Sequence, residues 1–252
     1  MRNCLAAATA IVVFFCAANL NAEFVNGVET FPGTTEDTTT WTASFGSFIS
    51  QNNGLIYNAG LNGGGAQSYN TNTQTIAYGQ SVKMMAMDTQ TNVDLSLFLT
   101  NNSAGSSAVG SSNSAYWSFD LDVNSDPQFD RIIMGVGDSV AWGDGTIGIF
   151  SLKPLENHVY GLQIQPLSST TAIFTVFDSD GTTVLESHMY TVSQARQPAE
   201  PASIPDNTHI SIEGGEGSAF IESVSIPEPT AGAIVFVVML TVCGRSRKPR
   251  CC

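Results

Sequence analysis

The sequence predicts an all-β protein, an antiparallel β-sandwich of the jelly-roll or lectin-like kind. Apolar and polar residues alternate along several short runs, which is the period of a half-buried strand. The clearest runs are 93–99, 117–123 and 160–164. Gly, Ser, Thr and Asn are abundant, charged residues make up 12% of the chain, and no ten-residue stretch has a convincing helical pattern. Ten or more short strands with short connections favour one sandwich.

Eight further runs complete the predicted strands. They are 41–48, 81–87, 131–136, 146–152, 172–177, 188–192, 209–213 and 219–226. Asp180-Gly181 lies between two of these runs and predicts a hairpin turn. The segments 50–75, 101–114 and 193–207 are rich in Asn, Gly, Ser or Pro and are predicted to be long loops.

Charge is distributed unevenly along the chain. All 22 acidic residues lie between Glu23 and Glu228, a stretch that contains only four basic residues. A strongly acidic surface keeps a domain soluble and repels nucleic acid. Nucleic acid is therefore excluded as a partner.

The N-terminus has the three parts of a secretory signal peptide. Arg2 gives a short positive start, residues 5–18 form an apolar run, and Leu20-Asn21-Ala22 ends in a small residue suited to cleavage. The apolar run is too short for a membrane span of about 20 residues. We expect residues 1–22 to direct the chain into the Sec export machinery and to be removed.

All five cysteines lie in the terminal segments, and residues 23–242 contain none. The segment between the two ends therefore has no internal disulfide, no thiolate zinc site and no Cys nucleophile. Its stability has to come from its core.

The C-terminus combines a Pro-Glu-Pro motif with a short apolar run and a basic end. Pro227, Glu228 and Pro229 precede residues 231–244, which are followed by four basic residues. As a helix, these 14 residues would be about 21 Å long, short of the roughly 30 Å of a hydrocarbon core. The run therefore suits transient membrane anchoring.

This C-terminal arrangement resembles the PEP-CTERM sorting signal of exported bacterial proteins. The resemblance covers residues 227–252 and implies a membrane-embedded processing enzyme, an exosortase, that cleaves near Pro227-Glu228-Pro229. It implies transient anchoring and then delivery to the cell surface or extracellular matrix. The predicted organisation is thus a signal peptide (1–22), a β-sandwich ectodomain (23–226) and a sorting signal (227–252).

One acidic segment has oxygen-bearing side chains at alternate positions, as calcium loops do: Asp120, Asp122, Asn124 and Asp126. However, Ser125 and Arg131 occupy the positions where the helix-loop-helix calcium motif has Gly and Glu. A strand that runs into the Asp126-Pro127 turn is the favoured interpretation. Ca²⁺ is kept as the alternative, and no other cofactor is expected.

The sequence shows no familiar catalytic constellation. The chain contains no Gly-x-Ser-x-Gly elbow and no Glu-x-Asp-x-x-Glu strand of the kind that some lectin-like hydrolases carry. Its three histidines, His158, His188 and His209, have no metal-binding spacing. Paired carboxylates from distant strands remain open.

Aromatic residues beside polar ones suggest a carbohydrate-binding surface. Trp142 lies in a Gly-rich loop near Asp144, and Tyr57 and Tyr69 lie in the Asn/Gly-rich segment. Alternatively, Trp142 closes one end of the sandwich. We expect a non-catalytic surface or matrix protein that binds exopolysaccharide. The alternative is an exported glycan-active enzyme, a hydrolase or lyase on a lectin-like sandwich.

Overall fold

The computed structural model describes residues 24, 27–31, 40–45, 48–50, 54–60, 67–88, 93–101, 115–123, 128, 130–138, 146–192, 204–214 and 217–226. The predicted signal peptide and sorting signal, with Pro227, Glu228 and Pro229, lie outside these residues. The same holds for Asn124, Asp126, Trp142 and Asp144.

The described residues form fifteen β-strands. In chain order these are β1 (Val28–Glu29), β2 (Trp41–Phe45), β3 (Phe48–Ser50), β4 (Leu55–Gly60), β5 (Gln67–Ile76), β6 (Val82–Asp88), β7 (Val93–Thr100), β8 (Ala115–Val123), β9 (Arg131–Asp138), β10 (Thr146–Ile149), β11 (Val159–Ser168), β12 (Thr171–Phe177), β13 (Val184–Thr191), β14 (Thr208–Gly214) and β15 (Gly217–Ser225).

The strands form two antiparallel sheets, which confirms the predicted all-β sandwich. The eight-stranded sheet has the order β13-β12-β11-β6-β15-β4-β3, with β1 paired to β15. The seven-stranded sheet has the order β10-β9-β8-β7-β14-β5-β2. Strands far apart in sequence are therefore neighbours, since β14 lies between β5 and β7.

The core lies between the two sheets and is lined by the apolar half of each alternating run. Leu97 of β7 pairs with Phe119 of β8, and both are fully buried. From the opposite sheet Phe174 approaches Phe119 edge to face, with ring centroids 5.4 Å apart. Burial of these large side chains is the main source of stability in a domain without disulfides.

One predicted loop is corrected by the structure, because the segment 50–75 contains β4 and most of β5. β5 has little apolar alternation, so its sequence gives no strand signal. The strand is instead determined by its neighbours, since β5 lies between β14 and β2 and forms hydrogen-bonded ladders with both. The run predicted over 41–48 is also divided, with β2 in one sheet and β3 in the other.

The predicted turn at Asp180-Gly181 is confirmed between β12 and β13. Gly181 has a φ of 66°, a left-handed conformation that glycine adopts without strain. The Asp180 carboxylate accepts hydrogen bonds from the backbone N–H groups of Thr182 and Thr183, both at 2.7 Å. With a further bond from the Thr183 hydroxyl, they hold the pKa of Asp180 well below its ordinary value.

Within the described part of the chain, no helix is long and apolar enough to cross a membrane.

Candidate functional site

The candidate site is the face of the seven-stranded sheet that points away from the core. On β7, β8 and β14 every second side chain enters the core, which leaves the intervening ones on the opposite face. We call this set the polar face. The name covers three rows of these outward side chains, namely Ser96, Phe98 and Thr100 of β7; Tyr116, Ser118 and Asp120 of β8; and His209, Ser211 and Glu213 of β14. Asp122 of β8 lies one row beyond them.

The polar face is shielded from solvent although it lies outside the core. Ser211 is fully buried, and Glu213 is only 3% exposed. On the outward face of the other sheet, by contrast, Met189 is 69% exposed. Polar groups are costly to bury unless they are hydrogen-bonded. Polar side chains are mostly exposed in folded proteins, so their low exposure on the outward face of a sheet makes the polar face the candidate site.

Two carboxylates share one row of the polar face. Glu213 pairs with Ser96, and Ser96 pairs in turn with Asp120, so β7 lies between the two acids. Adjacent strands are about 4.8 Å apart, which places the Cα atoms of Glu213 and Asp120 about 10 Å apart. Their side chains stand on the same face and point in the same general direction.

A serine precedes each carboxylate by two residues and faces it along the strand. The Oγ atom of Ser118 is 3.5 Å from Oδ2 of Asp120, and the Oγ atom of Ser211 is 3.5 Å from Oε1 of Glu213. Hydrogen bonds of this length are weak. The serine contacts by themselves therefore orient the two carboxylates only weakly.

The next two rows of the polar face carry an aromatic pair and a histidine. Phe98 lies between Ser211 and Ser118, and Thr100 lies between His209 and Tyr116. The rings of Phe98 and Tyr116 meet edge to face, with centroids 5.1 Å apart. Among the described residues, Nδ1 of His209 is buried without a hydrogen-bond partner.

The structure brings together only part of the predicted calcium segment. Asp120 and Asp122 both lie on the outward face of β8, which confirms the strand interpretation for these two residues. Asp122 is bound by Arg131, whose Nε donates to Oδ2 at 2.9 Å. Within the described part of the chain, no group of three or more His, Cys, Asp or Glu is placed to hold a metal ion.

The predicted carbohydrate-binding aromatics are not brought to this face by any described contact. Tyr57 lies on β4 of the eight-stranded sheet and Tyr69 on β5 of the seven-stranded sheet, and the side chains of both are outside the described part. The two tyrosines are therefore in different sheets, and Trp142 and Asp144 stay a sequence-based prediction.

Glu213, Phe98 and Tyr116 are candidate site residues that the sequence did not predict. A usable signal was present, because Ser-x-Asp at 118–120 and Ser-x-Glu at 211–213 each alternate with core residues. The missing information was that β14 and β8 both flank β7.

The other two histidines lie away from the polar face and have structural partners. Nε2 of His158 is 2.9 Å from Oδ1 of Asp178, and Nε2 of His188 is 2.6 Å from Oε1 of Glu186. The first pair joins the segment before β11 to the segment after β12, whereas His188 and Glu186 both lie on β13.

Comparison with known proteins gives matches at the level of fold. No protein-family model matches the chain, and no curated protein sequence matches it. The endo-β-1,3-glucanase of Pyrococcus furiosus is 12% identical, with a TM-score of 0.57 over 79% of this chain and 92% of the glucanase. The laminarinase catalytic domain of Thermotoga maritima is 11% identical, with a TM-score of 0.57 over 79% of this chain and 95% of that domain.

A third structure extends the comparison to a glycoside hydrolase family 16 endo-glucanase of Bacteroides ovatus. It is 8% identical, with a TM-score of 0.53 over 81% of this chain and 100% of the endo-glucanase. These likenesses show that this chain has the jelly-roll sandwich fold of such enzymes. This fold counts against the expectation of a non-catalytic protein, since it is shared with enzymes that act on glycans.

Proposed function

We propose that this protein is an exported glycan hydrolase that cleaves β-glucan chains across the polar face, with Asp120 and Glu213 as its pair of carboxylates. The observation that carries the proposal is the shared row, in which both acids point from one shielded face with a single strand between them. The fold shared with glucanases supports the choice of substrate class.

The separation of the two carboxyl groups in a glycosidase determines the course of its reaction. Glycosidases that use water directly hold their carboxyl groups about 6.5–9.5 Å apart, whereas those that form a covalent intermediate hold them about 5–5.5 Å apart. The Cα atoms of Asp120 and Glu213 are about 10 Å apart on one face, which leaves room for a water molecule between the two carboxyl groups, so we propose the single-displacement course.

The roles of the two acids follow from their exposure. Asp120 is partly exposed and Glu213 is almost fully shielded, so water reaches Asp120 more readily. Asp120 accepts a proton from the water that attacks the anomeric carbon. Glu213 donates its proton to the oxygen of the departing sugar as the glycosidic bond breaks. One C–O bond forms, one breaks, and the anomeric configuration is inverted.

A turnover assay tests this proposal. We expect the purified full-length protein to release new reducing ends from soluble β-1,3-glucan or mixed-linkage glucan, with inversion seen by NMR at early times. An increase in ultraviolet absorbance on a polyuronate, whose C5 carboxylate permits β-elimination to an unsaturated product, would instead indicate a lyase. Absence of turnover on both glucans would contradict the proposal.

We also propose that the two ends of the chain determine where the protein is localised. The basic and apolar start, the Pro-Glu-Pro motif and the short apolar run support export, transient anchoring and processing by an exosortase. An extracellular exopolysaccharide matrix then brings the hydrolase and its glycan substrate together.

Replacing Pro227, Glu228 and Pro229 together by alanine tests the proposed localisation. In a bacterium that has an exosortase, we expect this variant to stay in the membrane fraction while the unchanged protein reaches the surface or medium. Pro205→Ala, at an exposed position, is the control. Equal release of both variants would show that the motif is not a processing signal.

A further inference from the structure

β13 is the longest strand at an end of either sheet. Among the described strands it pairs only with β12, so its second side has no described neighbour. β13 has eight residues, whereas the other three end strands, β2, β3 and β10, have five, three and four. Natural proteins usually keep such edges short, because an open edge offers its backbone N–H and C=O groups to any extended chain.

The side chains of β13 do not protect this edge. Lysine and proline often block pairing at the edge of a sheet, and the run from Val184 to Thr191 contains neither. Instead, three apolar side chains of β13 are exposed, namely Met189 at 69%, Val184 at 55% and Leu185 at 39%. Exposed apolar side chains on an open edge favour a partner that covers them.

The residues of β13 are symmetric in their chemistry about Ser187. Glu186 and His188 lie on either side of this serine, and the apolar Leu185 and Met189 follow them. When two copies of a strand pair antiparallel, each residue lies opposite the one at the same distance on the other side of the twofold axis. An axis at Ser187 therefore places Glu186 opposite the partner's His188, and Leu185 opposite the partner's Met189.

The charges of β13 favour this position of the axis. Opposite charges that face each other across two strands stabilise a sheet, and like charges destabilise it. An axis at Glu186 would place two carboxylates opposite each other, whereas an axis at Ser187 places each carboxylate opposite a histidine. Glu186 is also the only acidic residue of β13, in a chain with a net charge of −13. Two acidic copies therefore meet along a strand that adds little to their repulsion.

We propose that the protein forms a homodimer in which the β13 strands of two copies pair antiparallel about a twofold axis at Ser187. The two eight-stranded sheets then form one continuous sheet. The axis is perpendicular to this sheet, so the polar faces of both copies lie on the same side of the dimer. Pairing is independent of the proposed hydrolysis. Where both hold, two sites face one glycan matrix and bind it with a higher overall affinity than one site does.

A lysine on the open edge tests the interface. Met189→Lys places a charge opposite the partner's Leu185, and the twofold axis repeats this change, so we expect the association constant of the dimer to fall about tenfold. Leu167→Lys is the matched control, because it adds the same charge at an exposed leucine of β11, a strand with neighbours on both sides. Size exclusion with light scattering measures the mass of the full-length protein at a series of concentrations under reducing conditions, and thermal melting measures folding.

A cysteine at the axis tests the position of the axis. In a chain whose five native cysteines are replaced by serine, Ser187→Cys places two thiols on facing residues, whose Cβ atoms are about 5 Å apart. A disulfide then needs only a small adjustment. The two copies of Met189→Cys are about 13 Å apart along the strands. We expect oxidation to give a covalent dimer with Ser187→Cys and not with Met189→Cys.

Three results would overturn the proposed dimer. One is the mass of a single chain at every concentration, and slow amide exchange along β13 in that monomer would show that another segment of the same chain covers the edge. The second is a dimer that is equally stable in Met189→Lys and in the unchanged protein, which would place the interface elsewhere. The third is faster cross-linking of Met189→Cys than of Ser187→Cys.

Discussion

Glu213→Gln and Asp120→Asn should each lower kcat on β-glucan by about 10³-fold, the usual contribution of a positioned general acid or base. Gln and Asn keep the shape of the side chain but can neither donate an acidic proton nor accept one. Because the two acids act in one step, the double variant should be little worse than either single variant. Kinetics on soluble β-1,3-glucan measure all three.

A matched control distinguishes loss of chemistry from a general effect of removing charge. Glu222→Gln changes an exposed glutamate on β15 of the other sheet and should leave kcat unchanged. Asp122→Asn changes the next acid on β8, which is bound by Arg131, and should have little effect on kcat. If Glu213→Gln retained most of its activity with an unchanged melting temperature, the carboxylate pair proposed here would be wrong.

The strands of the candidate site could be predicted from the sequence, but their arrangement could not. The alternation around Ser118 and Asp120, and around Ser211 and Glu213, correctly identifies two strands with one face in the core. Their distance in space depends on β7, which pairs with both. Pairing between segments more than a hundred residues apart is decided by the packing of the whole sandwich, and no local pattern reports it.

The missed strands show a second limit. β5 runs through a segment rich in Asn and Thr, and its extended conformation is stabilised by hydrogen bonds to its two neighbours. A strand of this kind depends on ladders that other strands provide, so its own propensity is a poor guide. The Asn- and Gly-rich composition around Tyr57 and Tyr69 also made these two tyrosines the predicted binding residues. The aromatic pair of the polar face, Phe98 and Tyr116, instead lies on β7 and β8, which the alternation of their core residues predicts as strands.

Removal of the Glu186 carboxylate should cost substantial stability. Its carboxylate accepts hydrogen bonds from the backbone N–H groups of Ser151 and Leu152, both at 2.9 Å, and from the Ser151 hydroxyl at 2.9 Å. Nε2 of His188 lies 2.6 Å away. These bonds attach β13, at the end of one sheet, to the segment that follows β10, at the end of the other.

The same bonds lower the pKa of Glu186 from its ordinary value. Burial by itself raises this pKa, but the hydrogen bonds from His188, Ser151 and Leu152 outweigh burial and lower it to about 2, from 4.5. A group whose pKa is lower in the folded protein stabilises the fold at pH values above its unfolded pKa. That contribution is lost as the pH falls from about 4.5 towards 2.

Glu186→Gln should therefore lower the free energy of unfolding by about 3 kcal/mol at pH 7, since the pKa falls from 4.5 to about 2 and each pKa unit corresponds to about 1.4 kcal/mol. The difference from the unchanged protein should shrink as the pH falls below about 4.5, because protonation removes the same interaction from the unchanged protein. Urea unfolding at a series of pH values from 7 to 3 measures this, with Glu222→Gln as an exposed control. A stability difference that stayed constant across this range would mean that Glu186 acts through its shape, and that its charge contributes little to joining the two sheets.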